Sequence, residues 1–552
     1  MQSCILRPMQ RDPAGLLRWL FYPQSGMRSR LAPRWLFLRA LALIYFSAFY
    51  SLLRQVQGLI GPAGILPASQ YLDAVHRALG PSRFWFAPSL YWINSSNAAI
   101  MALCWIGLLA SIAALLNAWP RLSFLVCFAC FLSFVAAAGD FSGYQSDGML
   151  LEAGFLALFF SPSGLHPGLG ANSPPSRASY FLLQWEWFRI YFESGIVKLL
   201  SGDQQWRHLT AMDEYYQNGP LPTWIGWYVQ HFPHWFQMAT AGATLAMELS
   251  IVFLMFLPRR ARLICFFIVT PWEIVVILTA NYTFLNYLVL VLGILLLDDG
   301  YLARLFPARY RPAVPETVAE EKQPEPTLSI VTPPQSRPQQ VPTRLSHFQA
   351  IKLAVSAVLL TLIAYVTTAE LILMPFQELP LPVSPIRLLD PFRIANRYGL
   401  FAVMTSGRYE IEFQGSNDGK TWTAYPFRYK PQALNQPPGI YAPYQPRFDW
   451  NLWFASLGDW QQNNIVPRTE EALLTNSPDV LHLFAGNPFR AAPPKFVRAV
   501  LWQYWFTTMK QKRETGNWWR RELLGLYAPV LTLQPDGKVA VVEWPQPLPP
   551  HD

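Results

Sequence analysis

The stretch WLFLRALALIYFSAFYSLL at residues 35–53 determines the fold class of this chain, because only one of its 19 residues, Arg39, is charged. A helix needs about 20 predominantly apolar residues to cross a bilayer, since lipid offers its backbone amides no hydrogen-bonding partner. The stretch therefore predicts a membrane-spanning helix near the start of the chain.

Eight further segments have the same apolar character. They are residues 98–116, 122–138, 149–160, 180–200, 235–257, 261–278, 283–297 and 351–374. The segment at 149–160 is the shortest, and its length also fits a re-entrant or buried helix. We expect about nine spans and therefore a polytopic α-helical membrane protein.

The overall composition agrees with this class. Of the 552 residues, 52% are hydrophobic and 14% are charged, whereas about a quarter of the residues of soluble domains are charged. The formal net charge is +9, but the arginines cluster at the ends of apolar runs and form no single basic stripe. We therefore expect the lipid bilayer as a partner and no nucleic acid.

Arginine clusters orient the predicted spans. Six arginines occur in the first 34 residues, and Arg259, Arg260 and Arg262 follow the sixth span. Positive residues favour the cytoplasmic side, and nine spans put both clusters there. The first 34 residues contain no long apolar core, so we expect the first span to insert without a cleaved signal peptide. The same alternation places four segments on the outer side: residues 54–97, 139–148, 201–234 and everything after 374.

The chain then divides into five predicted parts. They are a cytoplasmic N-terminal segment at 1–34, a transmembrane helical bundle with outer loops at 35–300, a Pro-rich cytoplasmic linker at 301–350, a last transmembrane helix at 351–374 and a soluble extracytoplasmic domain at 375–552. None of the five cysteines lies in the last part. This favours the bacterial inner membrane with a periplasmic domain, and the endoplasmic reticulum membrane is the equivalent in a eukaryote.

The last part has the pattern of a β-rich α+β domain. Tyr409, Ile411 and Phe413 alternate with polar residues, and a turn at 417–419 precedes a second strand from Thr421. Another hairpin surrounds residues 535–537, which read Pro-Asp-Gly. Between the hairpins, the apolar residues of 496–509 fall on one helical face, which predicts a helix.

Five stretches in order resemble the lipase maturation factor family. They are GLIGPAGILP at 58–67, GYQSDGMLLEAGFLALFF at 143–160, LTAMDEYYQNGPLPTWIGWY at 209–228, NYTFLNYLVLVLGILLLDD at 281–299 and NRYGLFAVMTSGRYEIEFQGSNDGKTW at 396–422. The resemblance covers most of the chain. It implies a chaperone-like membrane protein of the secretory pathway, with no cofactor, whose partner is an exported lipase-like client.

A weaker and wider resemblance concerns YFESGIVKLLSGDQQW at 191–206, which is similar to the membrane domain of vitamin K-dependent gamma-carboxylase. In that enzyme a lysine at the position of Lys198 acts as a base. The resemblance implies Lys198 as a candidate catalytic residue. The alternative function is therefore an integral-membrane enzyme that acts on a membrane-proximal substrate.

Ionisable residues inside spans are costly and usually face a polar interior. Arg189 and Glu193 are four residues apart, so they share a helical face and can pair. Carboxylates of other spans, including Glu248 and Glu273, could neutralise Arg39 and Arg189. The candidate intramembrane pocket consists of Asp147, Glu152, Arg189, Glu193 and Trp206. The structural alternative is ion pairing alone, with the long stem of Lys198 extending into the headgroup region.

A second candidate site combines aromatic and polar residues of the outer domain, as client-binding surfaces often do. Its members are Arg393, Asn396, Tyr398, Asp449, Trp450 and Trp453. The alternative is that these side chains are buried in the core of the domain. We expect no metal site, because Pro233 breaks the helix that would align His231 and His234. The sequence leaves the oligomeric state and the client open.

Overall fold

The computed structural model describes residues 13–22, 27–304 and 346–548. Most of the predicted linker, at 305–345, lies outside the described residues, as does part of the N-terminal segment.

Every predicted span forms a helix, with ends a few residues from those expected. The helices are α1 (Leu31–Leu53), α2 (Asn97–Leu115), α3 (Pro120–Val135), α4 (Gln145–Phe160), α5 (Arg177–Leu200), α6 (His234–Leu249), α7 (Arg259–Thr279), α8 (Leu285–Gly293) and α9 (His347–Leu373). A 3₁₀ turn, Ile251–Phe256, extends α6. Within the described ranges, five helices are long and apolar enough to cross a membrane: α1, α2, α6 with its 3₁₀ turn, α7 and α9.

Shorter helices precede, connect or follow these nine. They are Pro13–Phe21, Val56–Ile60, Ala68–Leu79, Arg83–Phe86, Gln204–Arg207, Tyr215–Asn218, Trp224–Gln230, Asp299–Leu302 and Ser384–Leu389.

The first five helices pack in chain order, each against the next. Tyr45 of α1 is fully buried, and its hydroxyl donates a hydrogen bond to the carbonyl oxygen of Leu150 in α4 at 3.0 Å. Gly154 makes this contact possible, because a Cβ there would lie 1.8 Å from the Tyr45 hydroxyl oxygen. The core between α1 and α4 is therefore closely packed, and its buried hydroxyl is satisfied.

One end of the bundle brings the starts of α1 and α7 together. Asp299 accepts hydrogen bonds from the backbone N–H groups of Leu31 and Ala32, at 3.1 and 2.8 Å. Asp298 binds Arg259 through Nε at 2.5 Å and Nη2 at 3.0 Å. Carboxylates are favourable at helix N-termini. Arg30, at the start of α1, and the cluster at 259–262 therefore lie at the same end of the bundle.

The part after α9 contains a six-stranded antiparallel sheet. Its strands are β1 (Arg408–Ser416), β2 (Thr423–Ala424), β3 (Phe496–Phe506), β4 (Trp519–Leu526), β5 (Val530–Leu533) and β6 (Val539–Glu543). The order is β2-β1-β3-β5-β6, and β4 also pairs with β3. Two helices, α10 (Arg447–Ala455) and α11 (Ile465–Leu474), pack on the sheet. The predicted strand at Tyr409 and the hairpin at 535–537 are confirmed, and the strand expected from Thr421 begins at Thr423.

The helix predicted over residues 496–509 is wrong, because most of this segment is strand β3. This strand is central in the sheet, with β1 on one side and β4 and β5 on the other. Neighbouring residues such as Val500 and Leu501 are both buried. A strand that is covered on both faces loses its polar alternation, so its apolar residues also fit one helical face.

Candidate functional site

Arg447 of α10 joins the sheet domain to the start of α4. Its guanidinium donates two hydrogen bonds to the Asp147 carboxylate, both of 2.7 Å, and one of 2.7 Å to the carbonyl oxygen of Phe141. Both charged side chains are about 1% exposed. A bidentate pair of this kind is strong and directional, and losing one partner would leave the other charge buried alone. The pair therefore holds α10 against the loop between α3 and α4.

A second buried network forms where the segment between α9 and β1 inserts against α4 and α5. Arg189 of α5 pairs with Glu152 of α4 and donates to the Asn396 carbonyl oxygen at 2.6 Å. Glu152 also accepts from the Asn396 backbone N–H at 3.0 Å and from the Tyr398 hydroxyl at 2.9 Å. Glu193 accepts from the Tyr398 backbone N–H at 2.6 Å. The segment therefore supplies hydrogen bonds to charged groups buried inside the bundle.

Arg408, the first residue of β1, holds the loop that follows α5. Its guanidinium donates to the carbonyl oxygens of Gln217 at 3.0 Å and Pro220 at 3.2 Å, and it pairs with Glu410. Lys430 adds a second cation to Glu410 at 2.8 Å. Burial lowers the pKa of Arg408, and the neighbouring Glu410 opposes that shift. The loop is therefore fixed to the sheet by a fully buried cation.

The loop between α1 and α2 also contacts the sheet domain. Gln55 Nε2 donates to the carbonyl oxygen of Gln445 at 2.9 Å, and Asn97 Nδ2 donates to Asp479 Oδ2 at 3.3 Å. At Gly58 a Cβ would lie 2.4 Å from the Asp479 carbonyl oxygen. All four segments predicted to share one side of the membrane are therefore in contact in the folded chain.

A cavity of about 330 Å³ lies between α5, α6, α7 and α8, under the loop that follows α5. Lys198 lines it, and Nζ donates to Glu248 Oε1 at 2.8 Å, the Leu400 carbonyl oxygen at 3.0 Å and the Ser194 carbonyl oxygen at 3.3 Å. The Trp206 ring centroid is 5.1 Å from Nζ. An ammonium group has three hydrogens, so these three acceptors use all of its donors.

A second polar group borders the same cavity. Glu273 of α7 accepts hydrogen bonds from the Tyr191 hydroxyl at 2.7 Å and from Asn286 Nδ2 at 2.6 Å. The carboxylate is 4% exposed, so these two donors replace the water that it loses on burial.

The predicted pocket residues occupy three places, so they do not line one pocket. Glu152, Arg189 and Glu193 belong to the network around Asn396, Asp147 pairs with Arg447, and Trp206 lies beside Lys198 at the cavity. The Lys198 side chain is 1% exposed and pairs with Glu248, which favours the alternative of ion pairing over extension into the headgroup region.

The predicted client-binding residues are mostly buried where the sheet domain contacts the bundle and its loops. Asn396 and Tyr398 belong to the network with Glu152, and the Trp453 indole donates to the Asn218 carbonyl oxygen at 3.0 Å. Trp450 is 8% exposed, whereas the Arg393 side chain is half exposed. This arrangement matches the alternative of burial.

Asp449 belongs to the same buried group. Its Oδ1 accepts from the backbone N–H groups of Tyr429 and Lys430, each at 3.3 Å. Burial nevertheless raises the pKa of the Asp449 carboxyl to about 6, against the opposing effect of the Lys430 charge.

The two histidines of the H-x-x-H pattern bind different partners. His231 Nε2 lies 3.0 Å from the Thr507 carbonyl oxygen, and His234 Nδ1 lies 2.9 Å from Asp213 Oδ1. In the part of the chain that the structure describes, no three His, Cys, Asp or Glu side chains could hold a metal ion.

These features define a class: a helical membrane protein whose antiparallel sheet domain is joined to the bundle by a buried ion pair and by buried hydrogen bonds. The lipase maturation factor transmembrane domain matches residues 32–304, and the lipase maturation factor C-terminal domain matches residues 394–529. Lipase maturation factor 1 of Mus musculus is 30% identical over 98% of this chain and 94% of its own length. Lipase maturation factor 2 is 31% identical in Gallus gallus, over 91% of this chain and 81% of that protein, and in Homo sapiens, over 92% and 83%.

The chain belongs to the lipase maturation factor family. No solved structure matches it. These relatives are vertebrate proteins, so they support an integral membrane location of the endoplasmic reticulum type. They give no support to the bacterial inner membrane and periplasm expected from the cysteine content.

Proposed function

We propose that this chain helps an exported lipase-like protein to mature, and that the client binds the sheet domain on the outer side of the membrane. The names of the relatives support the maturation role. The observation that carries the binding proposal is an exposed apolar strand, β6, at the edge of the sheet.

Strand β6 pairs with β5 on one side only in the described sheet. Val539 and Val541 on one face and Val542 on the other are 39 to 55% exposed, and the following Trp544 is 61% exposed. Stable proteins usually protect such edges with charges or bulges, because an unpaired edge pairs with other extended chains. A partly folded client offers an extended apolar segment that can add to this edge as another strand.

The placement of the sheet domain on the outer side is part of the proposal. Two contacts of α1 support it. The helix starts beside Asp299, at the end that holds the arginine clusters, and it ends near Gln445 of the sheet domain. We propose nine crossings, with the N-terminus in the cytoplasm and residues 375–552 outside. Single cysteines placed at 165 and 536 of the full chain would test it, because an impermeant thiol reagent should label only position 536 in sealed vesicles of outer-side-out orientation. Labelling at 165 alone, or at both positions, would exclude this topology.

Client binding can be tested by placing a photocrosslinking amino acid at Val542 in cells that express an exported lipase. We expect a crosslink to the lipase and a loss of secreted lipase activity per lipase molecule in Val541→Lys, because a charge on the edge strand opposes strand addition. Met509→Lys is the matched control, since Met509 is 44% exposed in the same domain and lies away from the edge. Equal lipase activity in the two variants, without a crosslink, would refute binding at β6.

The catalytic alternative rests on the cavity beside Lys198. A catalytic base needs a free lone pair, and the three acceptors around Lys198 Nζ instead favour its protonated form. This arrangement disfavours Lys198 as a base. The double variant Lys198→Met/Glu248→Gln removes both charges of the pair without leaving one alone. We expect lipase maturation to persist in this variant, and complete loss of output from a correctly folded double variant would instead favour catalysis.

A further inference from the structure

The cavity between α5 and α8 has mostly apolar walls. Ile190, Phe236, Val276 and Val289 line it within the bundle, and Met212 and Phe232 cover it from the loop side. Its volume of about 330 Å³ falls at the lower end of the range of ligand-binding pockets. A space of this size and polarity suits a flexible apolar chain.

The cavity lies at the point where α6 and α7 separate. The two helices contact each other through the 3₁₀ turn Ile251–Phe256, whereas α6 otherwise packs on α5 and α7 on α8. Thr240 and Thr244 of α6 face Trp272 and Val275 of α7 across the gap, and Val275 is 53% exposed. Because both helices are apolar enough to cross the membrane, this mouth opens toward lipid.

Two acceptor oxygens in the cavity wall have no hydrogen-bond donor among the described residues. They are Glu248 Oε2 and Asn286 Oδ1. The Glu248 side chain is 12% exposed and Asn286 is 9% exposed. The Asn286 amide orientation is fixed, because its nitrogen donates to the Glu273 carboxylate. Buried acceptors without a donor are costly, so the cavity is complementary to a group that donates hydrogen bonds.

The charges of the wall restrict the head group further. Lys198 is the cation of the lining, and its three hydrogens are bound by Glu248 and two carbonyl oxygens. Glu248 and Glu273 supply two carboxyl groups. A carboxylate or phosphate head would be repelled by these carboxyl groups, whereas a hydroxyl group, which has one hydrogen to donate, would satisfy one of the two acceptors.

We propose that this cavity binds a neutral lipid that enters between α6 and α7, with its apolar chain inside and its hydroxyl head donating to Asn286 Oδ1. The site does not depend on the client or on strand β6. Its test therefore needs only the purified full chain.

The experiment uses the protein in phosphatidylcholine nanodiscs and a photoactivatable hexadecanol with a diazirine in its chain. We expect labelled peptides from α6 and α7 that include Thr244 or Trp272. Unlabelled hexadecanol should displace the probe at about one-tenth of the concentration that hexadecanoic acid requires at pH 8, because a head-group hydrogen bond and the avoided carboxylate repulsion act together. Equal or better displacement by the acid would overturn the proposal.

Two variants distinguish probe binding in the cavity from probe binding on the lipid-facing surface. Thr244→Phe fills the cavity and should abolish specific labelling, whereas Ala246→Phe, at an exposed position of the same helix, should leave it unchanged. Asn286→Leu should weaken hexadecanol displacement about 3- to 10-fold, the contribution of one hydrogen bond, without weakening a hexadecane probe. Equal labelling of the two phenylalanine variants would also overturn the proposal, even if Asn286→Leu failed to fold.

Discussion

Replacing Arg447 by methionine tests whether buried ion pairs hold the sheet domain on the bundle. The change removes three hydrogen bonds of 2.7 Å and leaves Asp147 about 1% exposed without a cation. Breaking a buried pair on one side costs about 3–5 kcal/mol. Stability in detergent should therefore fall by that amount, measured as the free energy of unfolding in urea from tryptophan fluorescence.

Adding Asp147→Asn to Arg447→Met shows whether the loss of stability comes from a buried charge without a partner or from lost packing. We expect Arg447→Met/Asp147→Asn to recover more than half of the loss, because the uncompensated carboxylate is then gone. Arg468→Met is the control, since its pair with Glu471 is exposed and such pairs contribute at most about 1 kcal/mol. If Arg447→Met costs no more than Arg468→Met, or the double variant recovers nothing, the pair does not hold the domain in place.

Two further predictions concern Asp449 and Gly148. The pKa of Asp449 rises from 3.8 to about 6 on folding, so between these pH values the unfolded chain loses this proton first. Stability should fall by about 3 kcal/mol as pH rises through that window, and urea titrations at several pH values should show no such fall in Asp449→Asn. A Cβ at Gly148 would lie 2.8 Å from Asn396 Oδ1, so Gly148→Ala should lower thermal stability by about 1–3 kcal/mol. Gly242→Ala should not, because its Cβ would have no atom nearer than 4.0 Å, and equal melting temperatures would contradict the predicted clash.

Local patterns in the sequence were sufficient for the helices and for most of the sheet. Each apolar segment became a helix, and alternation located β1. The central strand β3 was missed because it has no polar face. When both faces of a strand are buried, its sequence does not alternate between polar and apolar residues, so periodicity cannot distinguish it from a helix.

The candidate sites were harder to predict, because their partners are distant in the chain. Arg189 paired with Glu152 as expected, but Arg39 lies over the Trp35 ring at 4.9 Å. Arg408 and Arg447 were not identified, since an arginine in a polar domain is usually exposed.

The insertion of the segment before β1 into the bundle has a consequence for the order of events during synthesis. Asp147 and Arg447 are 300 residues apart, and Glu193 and Tyr398 are 205 apart. The ribosome therefore delivers the acidic residues of α4 and α5 long before their partners. Until residues 396–447 have been synthesised, Asp147 lacks its cation and Glu193 lacks its backbone donor. The boundary at residue 375 consequently separates regions of different polarity and is not a line between two independently folding units.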